Sequence, residues 1–391
     1  MALSEYYTPT HVIFGEGAEM KLGEEISKYK PKKVLVHFGG KSAVKSGLIK
    51  KVTDQLDACN IKYETLGGVQ PNPRIDLVRE ALDLCNRKGI DFVLAVGGGS
   101  VIDSAKAICY GLFNGGDPWD FYSKEREPKG SAPLGVILTL AAAGSEMSDS
   151  SVLTNEKLGL KRGCNTDYCR ARFALMNPEL TYTLPPYQIA CGAVDIAMHT
   201  IERFFHAGKS NTLTDNLSGT LIRTVYEAGA RCLENPWDYD AHATLMWASS
   251  LSHNGLMAMG NDTKGDWACH QLEHELSGMF DIAHGAGLAI IFPVWARYVS
   301  KAKPKRFAEL GKVIWGINGE TQVACEKTIR KFEETFRSFD MPLSLKDAGI
   351  EPTDEQIDEL ARKCSFMGKR KIGNFRVLDE KDMRNIYRLS I

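Results

Sequence analysis

Two stretches of the chain concentrate residues able to hold a cation. In Asp195-Ile-Ala-Met-His199 the carboxylate and the imidazole are four positions apart, so on a helix they point to one spot. In Trp267-Ala-Cys-His270-Gln-Leu-Glu273-His274-Glu275, followed by Asp281-Ile-Ala-His284, three of the nine histidines fall within 15 positions. The Asp195–His199 pair alone reads as an intrahelical hydrogen bond. With the three further histidines, a divalent metal is the better account, and imidazole with carboxylate suits zinc or iron. His270-Gln-Leu-Glu273-His274 also matches H-x-x-E-H, the inverted zinc-protease pattern, in which both histidines bind zinc and the glutamate is the base. A metal-dependent hydrolase is therefore an alternative, although it leaves the remaining motifs unexplained.

Those motifs are glycine-rich. In Val96-Gly97-Gly98-Gly99-Ser100-Val101-Ile102-Asp103, glycines between a buried strand and a helix let the backbone approach a ligand. They also aim the free amides of the helix N-terminus at an anion such as a pyrophosphate. Ser100 is the expected N-cap, with Asp103 at N3 completing a box-like arrangement. The run is not a G-x-G-x-x-G fingerprint, and an ordinary tight turn is its plainer reading. A second turn, Leu138-Thr139-Leu140-Ala-Ala-Ala143-Gly144-Ser145-Glu146, is built of small residues that allow a cofactor to lie against backbone. His11, His37, His206, His242 and His253 have no acid at ligand spacing and are expected to play no part in the chemistry.

The elements that must position these residues divide the chain. Lys33–Phe38, Asp91–Val96 and Leu134–Thr139 are short apolar runs ending at turns, which read as buried strands, with helical spacing over residues 42–59, 75–87 and 101–110. Strand–helix alternation with continuous apolar strands predicts a mostly parallel sheet covered on both faces. After Pro185-Pro186, residues 187–207, 212–233, 238–259, 265–280, 305–318, 321–339, 354–364 and 380–389 all carry helical spacing. The expected fold is α/β, a Rossmann-like sheet domain over residues 1–184 followed by an all-helical domain over residues 185–391. The 48 Lys+Arg balance 49 Asp+Glu to a net charge of −1, which speaks against nucleic acid or an anionic membrane as partner. No apolar run nears the roughly 20 residues that span a bilayer. No basic-then-apolar leader is visible, and ten scattered cysteines without a C-x-x-C fit a reducing cytoplasm.

Together these features resemble the iron-containing (group III) alcohol dehydrogenase family over essentially the whole chain. The resemblance runs through Pro9-Thr-His-Val-Ile-Phe-Gly-Glu-Gly17, Gln70-Pro-Asn-Pro73, Gly97–Asp103, Gly116-Asp-Pro-Trp-Asp120 and Gly144-Ser-Glu146. It continues through Asn177–Pro186, Asp195-x3-His199, Met246-Trp-Ala-Ser-Ser-Leu, His270…His274 and His284-Gly. Within the family the chain looks most like NADPH-dependent butanol dehydrogenases and broad-range aldehyde reductases.

The resemblance implies a dehydroquinate-synthase-like architecture, a metal set of Asp195, His199, His270 and His284 holding Fe2+ or Zn2+, and His274 near the substrate. It implies hydride transfer between NADP(H) and a small aldehyde or primary alcohol such as butanal or butanol, and a homodimer or higher homo-oligomer. Gly97, Gly98, Gly99, Ser100 and Asp103 form the expected phosphate loop, and Asn72, Thr139 and Lys161 match cofactor-lining positions. The turn Phe38-Gly39-Gly40-Lys41-Ser42 has no acid to repel a 2′-phosphate, so Gly39, Gly40 and Ser42 are expected to favour NADP(H). Leu140 and Ala143 stand where the family usually has proline and threonine. A lyase of the dehydroquinate-synthase type is a further alternative, though such enzymes generally use a Glu/His/His set.

Overall fold

The structure is a computed structural model describing residues 3–391. The chain divides into two compact units, Tyr7–Leu184 and Pro185–Ile391, the second including the N-terminal stretch through Tyr6. That stretch thus leaves the domain in which the sequence placed it.

The first unit carries strands β1 (His11–Phe14), β2 (Val34–Phe38), β3 (Tyr63–Leu66), β4 (Phe92–Gly97), β5 (Leu134–Leu138), β6 (Ser150–Asn155), β7 (Leu160–Asn165) and β8 (Phe173–Met176). Its helices are α1 (Leu22–Ser27), α2 (Ser42–Lys45), α3 (Leu48–Ala58), α4 (Ile75–Lys88), α5 (Gly99–Asn114) and α6 (Trp119–Tyr122). Six strands form a parallel sheet in the order β1-β8-β5-β4-β2-β3, while β6 and β7 make a separate antiparallel hairpin. Strands β4, β5 and β8 are buried along their whole length; β4 and β5 therefore read as unbroken apolar runs, while β8 is a strand the sequence did not announce. Leu22, Ile26, Val52 and Leu56 of α1 and α3 pack on Val34, Val36, Phe92 and Leu94 of the sheet.

From β2 the chain steps outward to β3, then returns to the other side of β2 for β4. That reversal puts a topological switch point between β2 and β4, and ligands of open α/β sheets bind outside the carboxyl ends of strands at such a point. Phe38 pairs with Val96 and Gly97 with Leu138, so the turns after β2, β4 and β5 lie side by side there. The helix expected over residues 42–59 is broken in two because Gly47 adopts φ 77°, a left-handed conformation that ends a helix.

The second unit is helical: α7 (Pro186–Phe204), α8 (Thr212–Glu234), α9 (Tyr239–His253), α10 (Ala268–Phe280), α11 (His284–Ser300), α12 (Pro304–Trp315), α13 (Thr321–Ser338), α14 (Asp354–Cys364) and α15 (Glu380–Leu389). Pro186 starts α7 at the first helical position, where its missing N–H has no intrahelical partner to lose. Phe205, Trp295, Phe307 and Phe375 form an aromatic core, with ring centroids of Phe205 and Phe307 4.5 Å apart. No helix among the described residues is long and apolar enough to cross a membrane.

Candidate metal centre and cofactor loop

Helix α7 presents Asp195, His199 and Glu202 at i, i+4 and i+7, one stripe of the helix. Helix α10 presents His270 and Glu273, and Asp281, at φ 53°, turns the chain so that α11 begins at His284. The four side chains singled out as a metal set converge. Asp195 Oδ1 lies 3.3 Å from His199 Nδ1, 3.6 Å from His270 Nε2 and 3.7 Å from His284 Nε2. Four donors about 2.1 Å from one ion, at tetrahedral corners, stand about 3.4 Å apart. Asp195 Oδ1, His199 Nδ1 and His270 Nε2 are also buried without a hydrogen-bond partner, which a cation would remedy. Donor atoms of Asp195, His199 and His270 all lie within 4.8 Å of one another, and His284 adjoins them at Asp195 while also grouping with Glu273 and His274; the donor set fits a divalent metal.

Two carboxylates that the sequence reading did not use as supports stand behind the imidazoles. Glu202 accepts hydrogen bonds from His270 Nδ1 and from the backbone amides of Cys269 (2.7 Å) and His270 (3.3 Å). Glu273 accepts from His284 Nδ1 and Ser277 Oγ. Each bond sets the tautomer in which Nε2 is an acceptor, the usual arrangement behind a metal-bound histidine. The D-x3-H-x2-E spacing of α7 was the available signal for Glu202. Glu273, fully buried and already bound to His284, is poorly placed to serve as the base of an H-x-x-E-H site.

The electrostatics call for positive charge. Asp195, Glu202 and Glu273 are all buried. Burial disfavours the charge on Asp195, but the rings of His284, His270 and His253 outweigh it and hold the carboxyl below its ordinary value. Burial pushes His199 well below the usual imidazole value. It acts the same way on His270, where Glu202 and Asp195 prevail and lift the ring to about 9. A bound cation would replace the proton that these carboxylates otherwise hold there. Beside His270, burial pushes the Cys269 thiol well up, away from the thiolate that binds metals. The His274 ring stands 5.7 Å from His284 and 6.5 Å from His270, at the margin of the cluster.

In the sheet unit the glycine run lies where β4 meets α5. A Cβ on Gly97 would strike Val101, one on Gly98 would come within 2.8 Å of Leu140 Cβ, and one on Gly99 within 2.8 Å of Ala143 Cβ. The glycines therefore let the turns after β4 and β5 pack together, with Leu140 and Ala143 in direct apposition to them. The N-cap of α5 is Gly98 rather than the expected Ser100, and no side chain caps it. Close packing of the turn starts the helix two residues earlier, and no side chain caps its first turn, a setting suited to an anion.

Asp103 turns inward instead of completing a cap. Its Oδ1 accepts from Ser145 Oγ at 2.6 Å and its Oδ2 from the Val152 amide at 2.9 Å. Lys106, fully buried and not singled out in the sequence, donates from Nζ to the carbonyls of Ser148 (3.1 Å) and Ser150 (2.6 Å). These two residues of α5 fasten the segment that follows the small-residue turn. Asp103→Ala should cost about 1–3 kcal/mol by leaving buried groups unpaired. Denaturant melts and cofactor titration should show lower stability with a raised cofactor KM; an unchanged KM would confine Asp103 to folding. Asn72 and Lys161 are buried, whereas Gly40 and Ser42 are exposed at the end of β2.

A parallel sheet with a glycine turn at its switch point, and a helical unit with an Asp/His3 cluster, fit a metal- and nucleotide-dependent enzyme. The chain belongs to the iron-containing alcohol dehydrogenase family: the family model for iron-containing alcohol dehydrogenase matches residues 9–178, and that for its C-terminal part residues 189–391. Over 99% of both chains it is 36% identical to NADH-dependent butanol dehydrogenase A of Clostridium acetobutylicum. It is 32% identical to the NADPH-dependent aldehyde reductase YqhD of Escherichia coli over 97% of each. The crystal structure of NADH-dependent butanol dehydrogenase A from Thermotoga maritima superposes with a TM-score of 0.96 at 37% identity, covering 100% of this chain and 99% of that one. Membership makes the protein an alcohol dehydrogenase that works with a nicotinamide cofactor and a divalent metal.

Proposed function

We propose that the protein reduces small aldehydes such as butanal to primary alcohols with NADPH, and runs in reverse with alcohol and oxidised cofactor. The observation that carries the reading is the convergence of His199, His270 and His284 on Asp195 Oδ1 within 3.7 Å. When bound, iron(II) or zinc supplies Lewis-acid stabilisation of charge on the substrate oxygen, and the nicotinamide supplies the hydride. Asp195, His199, His270 and His284 hold the cation, while Glu202 and Glu273 orient two of those rings. Gly97–Ser100 offer backbone and helix amides to the pyrophosphate, with Asp103 acting through Ser145 and Val152. Asn72, Thr139 and Lys161 line the cofactor path. His274 stands beside the cluster to pass a proton to the substrate oxygen, completing the alcohol.

The names of the relatives span both cofactors. The preference for NADP(H) rests on the turn after β2, where Gly39, Gly40 and Ser42 present no acid, and Lys41 and Lys45 are exposed. A Cβ on Gly40 would meet nothing within 4 Å, and its φ is not positive, so the position accepts a side chain without strain. Gly40→Asp should therefore raise the KM for NADPH about tenfold or more relative to that for NADH by repelling the 2′-phosphate. Following loss of the reduced-nicotinamide absorbance on adding butanal tests both points. Absent turnover would end the reductase reading, and an unchanged KM ratio would place phosphate recognition elsewhere. A homodimer through the sheet unit belongs to the same reading: β1 is an edge strand, and Phe14 at its end and Tyr7 ahead of it are exposed. The ten free cysteines fit a reducing cytoplasm.

A further inference from the structure

Four of the five histidines expected to play no part in the chemistry have structural partners. His11 meets Glu25; His37 bridges the Leu66 carbonyl and Ser104; His206 binds the Ala207 carbonyl and Ser210; His242 binds the Pro236 carbonyl. His253 does not follow this pattern. It ends α9, is 8% exposed, and its Nδ1 is buried with no hydrogen-bond partner. Its ring meets that of His199 edge to face, with centroids 4.0 Å apart at 84°. Arg203 joins the two backbones, donating from Nη1 to the His199 carbonyl at 2.9 Å and from Nη2 to the His253 carbonyl at 3.4 Å. The same guanidinium lies over Trp267 at 4.4 Å, and Trp267 faces the His253 ring at 5.8 Å.

A buried nitrogen without a partner is a standing cost to a fold, which an apolar side chain of similar volume would avoid. The cost is understandable where the nitrogen serves something the folded chain does not itself provide. We infer that His253 is a positioning residue of the metal centre, its ring setting the plane of His199 and its nitrogen adding a dipole to the cation's buried surroundings. This inference rests on the reading of Asp195, His199, His270 and His284 as a metal site.

His253→Phe keeps a ring and removes the nitrogens, His253→Leu removes both, and His253→Asn returns a polar atom near Nδ1. Each is compared with wild type in three measurements: melting of the chelator-stripped protein, zinc affinity by competition with a chromophoric chelator, and the visible spectrum of the cobalt(II) form. In the Phe and Leu variants the stripped protein should melt no lower than wild type, while the zinc Kd rises about 10–100-fold, the range expected for groups behind metal ligands. The cobalt(II) bands should shift, and Asn should recover part of the affinity. Unchanged zinc Kd and cobalt spectra overturn the inference. So does a drop in the melting temperature of the stripped variants alongside weaker binding, which would assign His253 to packing. Wild-type protein that binds none of zinc, cobalt(II) and iron(II) overturns the metal reading as well; wild-type binding with unaltered variants overturns this inference alone.

Discussion

His270→Ala is expected to take bound metal from about one ion per chain to near none, and to cut aldehyde reduction about a thousandfold or more. Lewis-acid stabilisation of a developing alkoxide is worth several kcal/mol, and each 1.36 kcal/mol is about tenfold in rate. His270 is tied into the cluster by both ring nitrogens, with Nε2 3.6 Å from Asp195 Oδ1 and Nδ1 bonded to Glu202. Its removal also leaves Glu202 buried without its imidazole partner, which disfavours the folded site further. His274→Ala should behave differently. Its ring lies outside the group around Asp195 Oδ1, so metal content should hold while turnover falls about 10²–10⁴-fold, the range for a proton-transfer group. Metal analysis beside initial rates decides between them. Equal metal loss in both variants would return His270-Gln-Leu-Glu273-His274 to the ligand set of the inverted zinc-protease pattern.

The second large effect is expected at a residue that touches no ligand atom. A Cβ on Gly285 would stand 2.2 Å from the Cys191 carbonyl oxygen and 2.6 Å from Cys191 Cα. A carbon ordinarily stops about 3.3 Å from a carbonyl oxygen, so Gly285→Ala must move α11 from α7 by about 1 Å. Helix α7 carries Asp195 and His199, and α11 opens with His284, so the displacement falls directly on the donor set. Metal–ligand distances tolerate only about 0.2 Å. Overpacking should cost about 1–3 kcal/mol of stability, and a 1 Å misplacement can cost about a hundredfold in rate. Thermal melts and chelator competition should both register the change. Full metal affinity in Gly285→Ala would mean that α11 can shift without disturbing the cluster.

Gly285 also shows where sequence reading stops. The H-G pair was visible, but the reason for the glycine is a helix–helix approach that no local pattern encodes. Helix α11 escaped helical assignment altogether. Its residues are buried nearly all round, so it lacks an amphipathic stripe, and Pro293 sits inside it. Of the four interior strands, β2, β4 and β5 were legible because burial on both faces makes them continuous apolar runs, whereas β8, only four residues long, was not read. Strand β3, Tyr-Glu-Thr-Leu, is an edge strand of four residues, too short and too mixed to announce itself. Asp195, His199, His270 and His284 were singled out from the family resemblance, and the structure brings them together. Glu202 was hidden because its partner lies 68 positions away. Lys106 was hidden because a lysine in a helix reads as a solvated face, whereas here three bonds to Ser148 and Ser150 satisfy it in the interior.

The central claim is that one divalent cation on Asp195, His199, His270 and His284 enables aldehyde reduction. Its most direct test is titration of chelator-stripped protein with iron(II) under anaerobic conditions, and separately with zinc, reading metal bound per chain and butanal-dependent oxidation of NADPH on the same samples. Activity should rise in proportion to occupancy and level off at about one ion per chain, for at least one of the two metals. Full activity in the stripped protein, or an activity that ignores occupancy with both metals, would contradict it.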